Sequence, residues 1–142
     1  TDSRFNEFDA HAAVNAHLGD INSTEGMSSL DFQQHLDAVM TDWMDSGNSQ
    51  WQAFSDGAFD ALTELAKSLS SGSDAIVATS AGVSAVLAGR LLGAETQGVI
   101  SMNRVSVNAS ITTVVAGSRG LSLVSFNDHA HMLGERSLLT NR

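Results

Sequence analysis

Two hydroxyl-bearing residues followed by two small residues form the most informative local pattern of this chain: Thr79, Ser80, Ala81 and Gly82. An apolar run precedes them and a helical pattern follows, so they lie where a strand would turn into a helix. A helix N-terminus carries unpaired N–H groups and a partial positive charge, which suit a phosphate group. The pattern predicts a phosphate-binding turn, and the simpler alternative is a capped turn that binds nothing.

A second group of polar residues, near the C-terminus, has the chemistry of metal ligands. The spacing of Asp128, His129 and His131 matches no recognised ligand motif, however. The chain contains no Cys, which excludes disulfides, thiolate nucleophiles and Cys-ligated metals. We therefore predict no metal site and no cofactor, and we expect surface or structural roles for these histidines.

The composition is that of an acidic globular protein. Hydrophobic residues make up 42% of the chain, and 16 Asp and Glu against 7 Lys and Arg give a net charge of -9. The basic residues do not cluster, so the charge disfavours nucleic acid and anionic membranes as partners. No stretch is long and apolar enough to cross a bilayer, and Thr1 does not begin a signal-peptide pattern. The default expectation is a cytoplasmic protein.

Hydrophobic spacing predicts the elements that would position these residues. Apolar residues three and four positions apart indicate helices, whereas short β-branched runs bounded by Gly and Ser indicate strands. The predicted helices cover residues 10–18, 28–43, 51–69 and 83–92. The predicted strands cover residues 74–79, 110–116 and 121–126, the last two as a hairpin. Helices mixed with strands in this order predict an α/β layer architecture.

The predicted strand over residues 74–79 is apolar from Ala75 to Ala78, and such a continuous apolar run is typical of a fully buried strand. Such a strand needs a neighbour on each edge, and the chain supplies no obvious upstream one. We therefore expect residues 1–142 to form a single partial domain. Its open edge would pair with a missing N-terminal segment or with a second chain in a homo-oligomer.

Several segments, in order along the chain, resemble the histidine phosphatase superfamily, whose fold is that of phosphoglycerate mutase. Residues 76–83, Ile-Val-Ala-Thr-Ser-Ala-Gly-Val, resemble the family's apolar strand that runs into Ser/Thr-His-Gly-Gly and a helix. Residues 4–7, Arg-Phe-Asn-Glu, resemble its Arg-Leu-Asn-Glu. Residues 108–112, and 124–128 with His131, resemble its closing strands and its Asn-Asp-x-x-His tail.

The resemblance implies both a fold and a reaction. The fold is a three-layer, phosphoglycerate-mutase-like sheet flanked by helices, with its N-terminal strand missing from this chain. The implied function is hydrolysis of a small phosphomonoester without a metal or cofactor. Of the family's two activities, we expect hydrolysis rather than the mutase reaction. A His attacks phosphorus, Arg residues stabilise the equatorial oxygens, and Glu7 protonates the leaving oxygen. Residues 79–82 would hold the phosphate.

Two departures from the family pattern leave alternatives open. The Arg-His-Gly motif that carries the nucleophile does not occur in these residues, and the resemblance implies that it lies upstream. Ser80 occupies the position of the second active-site His, so a neutral donor replaces one that can be charged. We expect this chain alone to be inactive. The alternatives are a non-catalytic phosphate-binding or regulatory protein on the same fold, or an α/β interaction domain unrelated to the family.

Overall fold

A computed structural model describes residues 14–16, 18, 19, 24, 26–45, 47 and 49–140 of the chain, and its mixed helices and strands confirm the α/β class. The α-helices are α1 (Ser29–Asp45), α2 (Ser49–Ser68), α3 (Ala81–Leu92) and α4 (Thr96–Arg104). The strands are β1 (Ile111–Gly117) and β2 (Gly120–Asp128), and 3₁₀ turns follow at Ala130–Met132 and Arg136–Leu138. The predicted helices over residues 28–43, 51–69 and 83–92 are thereby confirmed.

The chain divides into two compact units, Thr1–Phe54 and Ser55–Arg142. In the first unit, Ser28 caps α1, because its Oγ accepts the N–H of Asp31 at 3.1 Å and donates to the Asp31 carboxylate at 2.7 Å. Of the predicted helix over residues 10–18, residues 14–16 and 18 are described and are helical. The prediction that residues 1–142 form one partial domain stays a prediction.

The apolar side chains of the first unit form a helix face and an aromatic cluster. Leu36, Met40 and Met44 lie on one face of α1 and are buried. The ring of Trp43 packs edge-on against that of Trp51, with centroids 5.0 Å apart, and both contact Phe54. These half-buried rings add contact energy where the chain turns from α1 to α2, since edge-to-face pairs contribute beyond simple burial.

In the second unit, α3 and α4 pack closely because α3 carries a glycine at the contact. A Cβ added to Gly89 would lie 2.5 Å from Cγ2 of Val99, which is itself buried. Ala85, Ala88 and Ile100 complete this core. Gly93 ends α3 in the left-handed conformation, with φ 64°, so the chain reverses into α4 within a few residues. The sequence did not predict α4, because its nine residues show too few apolar positions for a clear period.

Arg90 joins α3 to α2 within the second unit. Its guanidinium donates to Ser55 Oγ at 3.0 Å, pairs with the Asp56 carboxylate, and lies 4.6 Å from the centroid of the Phe59 ring. The ion pair is partly solvated, with exposed side-chain fractions of 35% and 57%, so the charges alone contribute little. The three contacts together fix how this end of α3 lies against α2.

The two strands form an antiparallel hairpin, as the sequence predicts. Gly117 pairs with Gly120 across the turn, and the register continues to Ile111 opposite Asp128, with irregularities near Thr113. One face of β2 packs on α3. The opposite face leaves Val115 and Val124 more than half exposed. A two-stranded hairpin is marginal on its own, so its contact with α3 contributes much of its stability.

The prediction of a buried strand over residues 74–79 is wrong. The chain passes through this segment without a turn, bend or helix, but none of its residues pairs with a strand. Ile76 is fully exposed, at 101%, and Val77 is 59% exposed. We call residues 74–79 the open segment. An apolar run becomes a buried strand only when neighbouring strands accept its hydrogen bonds, and the described part of the chain places none beside it.

Replacing Gly89 with Ala should destabilise the second unit. The new methyl group would meet Val99, a β-branched side chain that packing holds in place, so α3 and α4 would have to separate at a cost of about 1–3 kcal/mol. Urea unfolding measures the change. Gly82→Ala on the same helix is the control, because its nearest contacts would be 3.9 and 4.0 Å and Ala favours the helix. Equal losses for both variants would contradict the packing argument.

Candidate functional site

Ser80 is the N-cap residue of α3, and this position defines the candidate site. Its backbone is extended, at φ -81° and ψ 162°, and its Oγ accepts the N–H of Val83 at 3.4 Å. Because Oγ acts as the acceptor in this contact, the hydroxyl proton remains available to donate to a ligand. The predicted turn at residues 79–82 therefore exists as a capped helix start, although the segment before it is not a strand.

The backbone of the first turn of α3 presents further donors. Within the part of the chain that the structure describes, the N–H groups of Ala81 and Gly82 donate no hydrogen bond, as is usual for the first residues of a helix. These groups, with the hydroxyl of Ser80, form a local set of donors at the positive end of the helix dipole. The arrangement suits a small anion.

Gly82 and Asn103 shape the side of this turn. A Cβ on Gly82 would meet only Ser80 Oγ, at 3.9 Å, and Asn103 Oδ1, at 4.0 Å. Asn103 belongs to α4 and is 6% exposed, so the α3–α4 contact brings a buried amide beside the helix start. Asn103 was not among the site residues predicted from the sequence. The sequence carries no local signal for this role, because it depends on how α4 packs against α3; within α4, Asn103 lies one turn after the buried Val99.

The structure relates the remaining predicted site residues, Thr79 and Glu7, less directly to the start of α3. Thr79 is exposed at the end of the open segment, directly before the cap. Glu7, the predicted general acid, lies outside the described residues, so its relation to Ser80 stays a prediction. Arg90 lies ten residues beyond Ser80 on the same helix, about 15 Å along its axis, and is engaged by Asp56. It therefore contributes no contact at the helix start.

The tail motif, residues 127–131, is held in place by hydrogen bonds. Asn127 adopts a left-handed conformation, with φ 57°, and its side chain accepts the N–H of Val107 and donates to the carbonyl of Val105, both at 2.8 Å. Nδ1 of His129 contacts the carbonyl oxygen of Asn127 at 2.7 Å. The side chain of Asn127 therefore fastens the end of β2 to the loop that follows α4.

Further contacts fix the chain on either side of this tail. The carboxylate of Asp128 accepts the N–H of Ala130 at 2.9 Å. The backbone N–H of Asn108 donates to the carbonyl of Thr140 at 2.9 Å, which ties the C-terminal residues to the loop before β1. Among the described residues, no three His, Asp or Glu side chains group closely enough to hold a metal ion.

Comparison with known proteins provides no relative: no family model, no curated protein and no solved structure matches the chain. None of the helices in the described ranges has the length and apolar character needed to cross a membrane. The interpretation of the site therefore depends on its own geometry and on the sequence patterns.

Two substitutions of Asn127 should distinguish the contribution of its side-chain hydrogen bonds from the cost of its left-handed backbone conformation. Asn127→Gly keeps the left-handed backbone accessible but removes both side-chain hydrogen bonds, and we expect it to lower the free energy of unfolding by about 1–3 kcal/mol. Asn127→Ala should cost about 1 kcal/mol more, because Ala disfavours a positive φ. Urea denaturation of the two variants tests this order, and a Gly variant as stable as the original chain would contradict the bridging role.

Proposed function

We propose that the chain is part of a histidine-phosphatase-like domain that hydrolyses small phosphomonoesters through a phosphohistidine, with the α3 N-terminus as its phosphate-binding turn. The observation that carries the proposal is the donor set at this turn. The Ser80 hydroxyl and two unengaged N–H groups share one helix start, beside the buried amide of Asn103. This set supports anion binding because a hydroxyl and the unengaged N–H groups of a helix start are donors that phosphate oxygens accept.

The open segment supports the finer fold that we propose, a three-layer phosphoglycerate-mutase-like sheet. Its four central residues, Ala75 to Ala78, are apolar, and Ile76 and Val77 are exposed in succession. Such a run is typical of a central parallel strand. In the proposed domain, neighbouring strands would cover this segment and make it the strand that delivers Ser80 to the sheet's carboxyl edge, where open α/β sheets bind ligands.

In the proposed reaction, a His imidazole attacks phosphorus and displaces the alcohol. A new N–P bond forms as the ester P–O bond breaks, and the leaving oxygen takes a proton from Glu7. Water then attacks the phosphohistidine and gives a proton to the Glu7 carboxylate; an O–P bond forms as the N–P bond breaks, which releases phosphate and restores both the imidazole and the carboxylic acid. The part of the α3 turn is to hold the phosphoryl oxygens by hydrogen bonds while negative charge redistributes over them.

One observation favours a second candidate function, a non-catalytic phosphate-binding protein. Ser80 stands where the family carries its second His, and its oxygen is already used to cap α3. A neutral hydroxyl binds a phosphate oxygen but supplies no positive charge to a transition state. A protein that senses or presents a phosphate group would keep the binding turn and have no need of the His.

Inorganic phosphate should bind to the turn, and Ser80→Asp should abolish most of this binding. Asp remains a good helix cap, so the fold is retained, but its carboxylate occupies the N–H groups and repels the anion. We expect the dissociation constant, from titration of backbone NMR signals of residues 80–83, to rise at least about tenfold. Ser118→Asp, which adds the same charge in the hairpin turn, is the control. Unchanged affinity in Ser80→Asp would exclude this turn as the binding site.

Turnover of p-nitrophenyl phosphate separates the two candidate functions. The 142-residue chain should show none, because it lacks an Arg-His-Gly nucleophile motif. A longer gene product that carries this motif should be active, and Glu7→Gln should reduce its rate by about 10²–10⁴, the usual contribution of a general acid. Measurable turnover by the 142 residues alone would contradict the proposed reaction. A gene without the motif would favour the binding protein.

A further inference from the structure

The open segment has the properties of an unpaired strand rather than of a loop. Within the described ranges of the chain, residues 74–79 form no backbone hydrogen bond, and the chain crosses this segment without a turn or bend. Successive residues of a straight segment point to opposite sides, so the exposure of both Ile76 and Val77 leaves both faces uncovered. A row of unpaired N–H and C=O groups flanked by apolar side chains is a template for pairing with another strand.

We propose that the open segment pairs with the open segment of a second copy of this chain, as an antiparallel two-fold pair centred on Val77. A two-fold pair requires a self-complementary strand, in which each residue faces an acceptable partner. With Val77 opposite the same residue of the other copy, Ile76 faces Ala78 and Ala75 faces Thr79, so the centre of the pair is entirely uncharged. Small and β-branched residues in opposition are favourable cross-strand neighbours.

Charge complementarity at both ends supports this register. The residue opposite Asp74 is Ser80 of the other copy, so a carboxylate from each chain lies at the N-terminus of the other chain's α3. Anions are stabilised there by the unengaged N–H groups and the helix dipole. Two-fold symmetry produces the contact twice. Asp74 is the only charged residue between Lys67 and Arg90, so no opposing charge interferes.

The distribution of charge between the two units also favours this face. Residues 1–54 contain nine Asp and Glu but only one Arg, whereas residues 55–142 contain seven acidic and six basic residues. Two copies that met through the first unit would repel one another, while the second unit, which carries the open segment, is nearly neutral. Self-association through the open segment is thus compatible with a net charge of -9.

Such a pair would also close the proposed phosphate site, because Asp74 of the other copy occupies the same N–H groups. The pairing does not depend on the proposed function, because it concerns the 142-residue chain by itself, whereas in the proposed domain other strands would cover the open segment. The experiments are therefore run without phosphate, so that a failed dimer and a failed phosphate site give separate results.

Sedimentation velocity over a dilution series tests the pair. We expect the wild-type chain to form a dimer. Its dissociation constant should rise at least about tenfold in Val77→Lys, since this change places two ammonium groups opposite one another. Asp74→Asn should raise it about 3- to 30-fold, through the loss of two helix-terminus contacts. Val124→Lys, at a comparably exposed valine of the hairpin, should have no effect. Circular dichroism shows that each variant is folded.

Single-cysteine variants test the register, since the chain has no Cys of its own. Directly opposed Cα atoms lie about 4.5–5.5 Å apart, so Val77→Cys should form an intermolecular disulfide on mild oxidation. Two thiols at position 76 would be offset diagonally by about 7–8 Å, so Ile76→Cys should not cross-link. A monomeric wild-type chain, or a dimer indifferent to Val77→Lys, would overturn the proposal.

Discussion

The close packing of α3 on α4 is the constraint on which the second unit depends. Gly89 allows the two helices to approach until Val99 fills the space where a side chain would lie, and this approach brings Asn103 beside the first turn of α3. The candidate site therefore owes its shape to a helix contact, whereas its donors come from the helix terminus itself. At the opposite end of α3, Arg90 connects to α2 through a hydroxyl, a carboxylate and an aromatic face.

In the open segment, apolar residues that would favour burial are exposed. Its composition favours a buried strand, but burial requires partners for its backbone as well as for its side chains. The hairpin is in a related situation, because one face packs on α3 while Val115 and Val124 remain exposed on the other. Both exposed apolar surfaces lie in the second unit.

Local signals in the sequence are enough to specify most of the individual elements. The amphipathic periods of α1 and α2, the Ser80 cap of α3 and the Gly-rich turn of the hairpin each depend on residues close together in the chain, so their positions can be predicted to within a few residues. The hydrogen-bond donors of the candidate site are predicted in the same way, since an N-cap and the first N–H groups of a helix are local features.

The partners that these elements find are a property of the tertiary structure. It places Asn103 beside Gly82, gives Asn127 its bridging role and leaves residues 74–79 exposed, with no strand of the described chain paired to them. None of these outcomes follows from local sequence, because each depends on what lies across space from a residue. An apolar run favours burial, but the strands that bury it come from distant parts of the chain or from another chain.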